Sequence, residues 1–233
     1  MDTGFPIGRK KASNLGEKEP MKIEQKNTLS RIALLGLVSF ILTSSPALAE
    51  PNHRTAYFAG GCFWCTETDF EKIDGVSEVI SGFMGGEKAN PSYIDVASGR
   101  TQHRETVKVV FDPASVSYQQ LLSAFWRMHD PSDATGSFVD RGRQYSSAIY
   151  YVDAEQLRLA EGGVKALDAS GKFDTPIATS IEPASEFYVA EAYHQDFYLK
   201  SPLKYKYYRY RSGRDQFIKA MWAGDNSVYQ TTQ

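Results

Sequence analysis

In the run TAYFAGGCFWCTETDFEKIDG, residues 55–75, the apolar period changes from that of a strand to that of a helix across a pair of glycines. Residues 55–59 alternate as a strand, Gly60-Gly61 ends it, and Phe63, Phe70 and Ile73 recur at helical spacing up to an Asp74-Gly75 stop. Strand, glycine turn and helix are therefore predicted in immediate succession. A second strand is expected over 76–83, closed by Gly85-Gly86, and a third over 105–111 with Glu105, Val107, Val109 and Phe111 on one face. Ser117 and Gln120 form a capping box ahead of Leu121, Leu122, Phe125 and Trp126, which predicts a helix ending near Asp130-Pro131. After a polar loop to about residue 144, a strand is expected over 148–152 and a helix carrying Leu157, Ala160, Val164 and Leu167 on one face. A strand near 177–181 and a short helix over 190–199 follow. Gly162-Gly163 count against the long helix, since glycine costs about 1 kcal/mol relative to alanine inside one. The Tyr- and Arg-rich stretch after Pro202 reads as a surface-wrapping segment that buries aromatic faces. With no internal repeat or linker, the pattern predicts a single mixed α/β domain over about 50–223.

The amino-terminal segment has a different logic. Lys22, Lys26 and Arg31 precede an apolar run, 32–42, and Ala47-Leu48-Ala49 supplies a small-x-small cleavage pattern. That run is too short for the roughly 20 residues a spanning helix needs. Residues 1–49 are therefore expected to be an extension and a signal peptide, starting at Met21 and cut after Ala49, so that the body, 50–233, is exported to the periplasm or secreted without a membrane anchor. Residues 1–49 hold seven of the 26 Lys/Arg and four of the 28 Asp/Glu, which leaves the body a formal charge of about −5. A mildly acidic body without a basic tract excludes nucleic acid as a partner. No G-x-G-x-x-G or G-x-x-x-x-G-K run marks a nucleotide site. At 184 residues the body is long enough to bury roughly 70% of its unfolded surface, so it does not need a disulfide staple to fold.

Cys62 and Cys65 are the only cysteines, and their spacing admits several chemistries. Haem attachment fails because residue 66 is threonine rather than histidine. A structural zinc site wants four ligands, and His53, His103, His129 and His194 show no metal-like pairing, so no metal is expected. A thioredoxin-like dithiol, a local structural disulfide in a non-catalytic exported domain, and a nucleophile with its own resolving thiol all remain open. Cys62 falls at the expected helix start, where unpaired N–H groups favour a thiolate. Cys65 lies one turn further in. Glu67, Asp69 and Glu71 load the same helix with negative charge, which argues against a strongly acidic thiol in the free protein. Phe63 and Trp64 form an apolar wall beside the nucleophile.

GCFWC, followed in order by SGFMGG, NPSY, HRE, HDP, DRGRQYSSAIYY and AYHQDFY, resembles the peptide methionine sulfoxide reductase A family from Tyr57 to about Gly213. The resemblance implies a two-layer mixed sheet with helices around a ferredoxin-like core. It also implies reduction of the S-epimer of methionine sulfoxide, free or in proteins. Carried over, Cys62 is the nucleophile, Phe63 and Trp64 hold the ε-methyl group, and Glu105 protonates the sulfoxide oxygen. Tyr93, Asp140 and Tyr145 match polar groups around that oxygen. Cys65 stands where the family commonly has glycine, and its implied role is to condense with a sulfenic acid on Cys62. The resulting disulfide is recycled by an external thioredoxin-like reductant, with no bound cofactor and the protein expected to be a monomer. Gln102 also occupies a position often filled by glycine, a departure expected to alter substrate entry. His194 reads as a hydrogen-bonded helix residue outside the site.

Overall fold

The computed structural model describes residues 52–223, so the expected signal peptide lies outside the described residues. In chain order the elements are β1 (Arg54–Ala59), α1 (Phe63–Phe70), β2 (Val76–Met84), α2 (Tyr93–Ala97), β3 (Arg104–Phe111), α3 (Tyr118–Phe125), β4 (Gly136–Ser137) and β5 (Asp140–Arg141). A 3-10 turn (Arg143–Tyr145) leads to β6 (Ala148–Tyr151), α4 (Ala154–Ala169), β7 (Ser180–Pro183), β8 (Tyr188–Val189), α5 (Phe197–Lys200), α6 (Pro202–Ser212) and α7 (Arg214–Trp222). Six strands form one sheet in the order β7-β6-β1-β3-β2-β8, while β4 and β5 make a separate hairpin.

Its inner four strands, β6-β1-β3-β2, pair antiparallel throughout. With α1 joining β1 to β2 and α3 joining β3 to β6, this is the ferredoxin-like arrangement. β7 adds parallel to β6, which makes the sheet mixed. Strand alternation explains why the two helices lie where they do. Ala56 and Phe58 of β1 face the same side as Val107, Val109 and Phe111 of β3, and all five are buried in one cluster with Phe70, Leu121 and Phe125. The Phe58 ring centroid lies 4.8 Å from that of Phe70 and 4.9 Å from that of Phe125. Burying each such ring contributes about 1.5–3 kcal/mol relative to leaving it in water. On the opposite face Arg104 is buried and held by Ser146 Oγ at 2.9 Å, Tyr150 Oη at 2.8 Å and Glu182 at 3.0 Å. The same alternation that turns Arg104 to that side turns Glu105 toward the helices.

The capping box of α3 is present with both of its hydrogen bonds. α4 tolerates Gly163 because it packs tightly on α3: a Cβ there would lie 2.8 Å from Trp126 Nε1. Three expectations shift. The strand near 177–181 forms later, at Ser180–Pro183. The helix over 190–199 shrinks to Phe197–Lys200, because Gln195 spends its side chain on the sheet edge. Its Oε1 accepts from the Ser81 N–H at 2.8 Å, its Nε2 donates to the Ser81 carbonyl at 2.9 Å, and Asp196 then turns left-handed at φ 52°. The segment after Pro202, expected as a surface wrap with no secondary structure assigned, is a helix with Pro202 in the first turn and Tyr205, Arg209 and Ser212 on its inner side.

Candidate active site

Gly61 sits at φ +91°, and a Cβ on it would meet Ser137 at 2.4 Å, so the turn from β1 into α1 requires glycine. That turn delivers Cys62 as the residue capping α1, and the Cys62 carbonyl accepts from the N–H groups of Cys65 at 3.1 Å and Thr66 at 3.3 Å. The first free N–H of the helix, on Phe63, donates to Glu105 Oε2 at 2.9 Å. Glu105 comes from β3, paired with Phe83 of β2, and is 2% exposed. Tyr93 opens α2 behind the Ser92 capping box, and its N–H donates to Glu191 Oε1 at 2.9 Å. Asp140 and Tyr145 arrive on β5 and the turn after it.

These segments enclose a cavity of about 50 Å³ lined by Cys62, Phe63, Trp64, Tyr93, Glu105, Asp140, Tyr145 and Tyr208. Seven of the eight expected site residues line it. The eighth, Cys65, lies beneath it, fully buried and packed with Phe197 and Tyr205. The cavity admits a group of a few heavy atoms and no more. Trp64 is fixed as one wall: its Nε1–H donates to His194 Nδ1 at 2.9 Å, and its ring stacks on Phe197 with centroids 3.7 Å apart. His194 is thus hydrogen-bonded as expected, but from a turn rather than a helix.

Burial without full pairing controls the protons here. It pushes the Glu105 carboxyl up to about 8, against the Phe63 N–H that favours the anion and with Asp140 nearby adding to the rise. Burial also raises Tyr93 to about 12 and pushes Tyr145 and Tyr208 upward. Asp140 is raised by burial, although the Tyr208 hydroxyl donates to its Oδ2. Burial pushes the Cys62 thiol well up, reinforced by its hydrogen bond with Cys65 and by the charges of Glu105 and Asp140. That same bond lowers Cys65, against its burial and with help from the Arg214 and Arg209 guanidiniums. Acidity alone would thus select Cys65 as nucleophile. Access selects Cys62, because only its sulfur reaches the cavity. At neutral pH the site presents a protonated carboxyl and phenolic donors, a set suited to receiving a polar oxygen. Among the described residues no three His, Cys, Asp or Glu are grouped to hold a metal ion.

The negative charge expected along α1 is muted. Asp69 pairs with Lys72 and Arg209, each at 2.9 Å. Glu67 is buried, which moves its carboxyl from 4.5 up to about 8, while its Oε1 accepts the Asp196 N–H at 3.3 Å. Between those values folded Glu67 keeps a proton that the unfolded chain has lost, so its contribution makes stability fall as pH rises from 4.5 to about 8. Glu67→Gln keeps the acceptor oxygen and removes the titration. Its melting temperature should exceed that of the wild type by about 5 °C at pH 8 and by much less at pH 4.5. Calorimetry at the two pH values checks this, and an equal gain at both would refute it.

Tyr208 and Arg214 were not singled out by the sequence. Fourteen tyrosines give no local reason to choose Tyr208. Arg214 is 1% exposed, and its guanidinium donates to the carbonyls of Met128 and of Gly60, the latter at 3.1 Å, tying α7 to the turn that carries Cys62. Gln102 has a backbone explanation: it sits at φ 60°, in the left-handed region where glycine costs nothing, and its carbonyl accepts from Arg143 Nε at 3.3 Å.

The family model described as "Peptide methionine sulfoxide reductase" matches residues 54–226. Peptide methionine sulfoxide reductase MsrA of Listeria monocytogenes serotype 4b is 49% identical over 177 residues, covering 76% of this chain and 100% of that protein. Peptide methionine sulfoxide reductase MsrA/MsrB of Vibrio cholerae is 48% identical over 181 residues, and the chain spans about half of it, 48% of its length. Among solved structures, Mxr1 from Saccharomyces cerevisiae in reduced form superposes with a TM-score of 0.60 at 30% identity, over 64% of this chain and 86% of that one. Methionine sulfoxide reductase A of Corynebacterium diphtheriae gives 0.58 at 34% identity, over 66% and 78%.

Proposed function

This chain belongs to the peptide methionine sulfoxide reductase family, A type, and from that premise we propose that it reduces methionine S-sulfoxide, free or in proteins, through Cys62. The observation that carries the proposal is the placement of one thiol, and only one, in a small cavity with a protonated carboxyl and two aromatic walls. A methyl sulfoxide has a matching form: an apolar methyl for Phe63 and Trp64 and a polar oxygen for Glu105, Tyr93 and Tyr145. Oxide does not leave sulfur unprotonated, so Glu105 gives its proton to the oxygen as Cys62 attacks. The oxygen passes to Cys62 as a sulfenic acid and methionine leaves. Cys65 then displaces water from that sulfenic sulfur, forming the Cys62–Cys65 disulfide. An external thioredoxin-like dithiol reduces the disulfide and restores both thiols. What supports this role for Cys65 is its position one helical turn from Cys62, near enough for the two thiols to shift each other's acidity. Closing a disulfide within this first turn requires the turn to loosen, since the Cys62 carbonyl is held by two N–H groups from residues 65 and 66.

In this reading the signal-like segment exports the enzyme, where it repairs oxidised proteins using an exported reductant relay. The test is a single-turnover assay on fully reduced protein with a methionine S-sulfoxide peptide and no external reductant. One methionine per chain and loss of both thiols are expected. Cys65→Ser should form one methionine and stall as a sulfenic acid that dimedone traps. No methionine from the wild type sinks the reductase reading and returns the structural-disulfide alternative. Repeated turnover of Cys65→Ser with a thioredoxin-like donor removes Cys65 from the cycle.

A further inference from the structure

Beside the catalytic cavity runs a larger depression of about 360 Å³. It shares the rings of Trp64, Tyr93 and Tyr208 with the cavity, and its outer wall is made by Tyr193, Lys204 and Tyr207. A methionine side chain seated in the cavity leaves its main chain on that shared rim, so the next residue of a polypeptide falls into the depression. The outer wall is built for contact rather than for packing. Tyr193 is 57% exposed and Tyr207 69% exposed, large aromatic surfaces left in water beside a reactive site.

The charge around this groove is opposite to that of the body. α6 carries Lys204, Lys206, Arg209 and Arg211 and no acidic residue. Lys204, Tyr207, Tyr208 and Arg211 recur at i, i+3, i+4 and i+7, hence on one face. Nearby carboxylates have partners of their own: Glu191 accepts the Tyr93 N–H at 2.9 Å through Oε1, Asp140 accepts the Tyr208 hydroxyl, and the half-exposed Asp196 lies 3.7 Å from Lys200. Arg209 is likewise spent on Asp69 and Asp215, but Lys204 and Arg211 are exposed and make no ion pair within 4.0 Å among the described residues.

We infer that this groove is a peptide subsite that takes the residue flanking the oxidised methionine and prefers an aspartate or glutamate there, with Lys204 as its cation and Tyr193 and Tyr207 gripping the chain. The inference rests on the reductase reading and adds the substrate class that the site favours. Continuity with the cavity supplies the occupant, and the unpaired cation supplies the preference. A body of net charge about −5 would by long-range attraction favour the opposite, basic peptide, so a preference for acidic flanks has to come from the groove itself.

The test compares kcat/KM for two blocked pentapeptides, one with glutamate on both sides of methionine S-sulfoxide and its twin with lysine, alongside free methionine S-sulfoxide, with dithiothreitol as reductant at low salt. Wild type should favour the glutamate peptide about fivefold, and the preference should fade as salt screens it. Lys204→Glu should reverse the ratio, and Tyr207→Ala should raise KM for both peptides. The ratio is internal to each variant, so a general loss of activity does not mimic its reversal. Equal rates for the twins in wild type, or a glutamate preference that survives Lys204→Glu, overturns the subsite while reduction of the free sulfoxide leaves the reductase reading standing. Failure of wild type to reduce the free sulfoxide overturns the reductase reading, and the subsite with it.

Discussion

Cys62→Ser is expected to form no methionine above background in a single-turnover assay, with the Cys65 thiol intact at the end. Serine fits where cysteine stood, so the α1 cap and the cavity walls stay in place. The chemistry does not. Accepting the sulfoxide oxygen on sulfur gives a sulfenic acid, an accessible state of a thiol, whereas accepting it on a serine oxygen would give an O–O bond. The serine hydroxyl is also far less acidic than a thiol, so its attacking form is scarce. Cys65 does not substitute, because it is 0% exposed beneath Phe197 and Tyr205 and has no route to a sulfoxide in the cavity. Quantified methionine and a thiol count decide the matter: activity above about a hundredth of wild type, some 2.7 kcal/mol of barrier, would show that Cys62 is not the nucleophile.

Glu105→Gln is expected to slow methionine formation by about 10²–10⁴-fold and to change the form of its pH dependence. The amide keeps an oxygen for the Phe63 N–H, so the local packing has little reason to change. It has no proton to give to the departing oxide. The active form carries one proton on Glu105 and none on Cys62. Glu105 titrates at about 8 and Cys62 well above its ordinary 9.0. Below about 8 both groups are protonated, thiolate is rare, and the wild-type rate should rise with pH. Once the last shared proton is lost, at a pH set by Cys62, the wild-type rate should fall. In Glu105→Gln that alkaline fall should be absent, and the residual rate should keep rising with thiolate. An unchanged rate, or an alkaline fall retained in the variant, would remove Glu105 as the acid.

Much of the site is legible along the chain wherever a local period sets direction. The alternation of β3 places Glu105 on the face of Val107 and Val109, where the structure has it buried against the helix side. The Gly60-Gly61 break places Cys62 at the start of α1. Helix ends with side-chain caps, such as Ser117 with Gln120, are readable for the same reason: the partners are three residues apart. The short helix expected over 190–199 forms only at its end, from Phe197, because Gln195 takes the backbone of Ser81 on β2. Tyr207 and Tyr208 are neighbours in sequence with opposite tasks, one at the outer groove and the other against Asp140. Composition does not separate them.

By itself the sequence determined the strand–glycine–helix unit, the capping position of Cys62, the inward face of Glu105 and, through its ordered motifs, the family. Each of these follows from contacts within one element, whose geometry the local residues dictate. Only the tertiary structure decided that Tyr208 closes the cavity, that Arg214 braces the turn, that Cys65 is sealed beneath it and that Glu67 and Glu105 hold their protons. Those properties depend on which distant segments exclude water from a given side chain, and exclusion of water is a result of packing that no local pattern encodes.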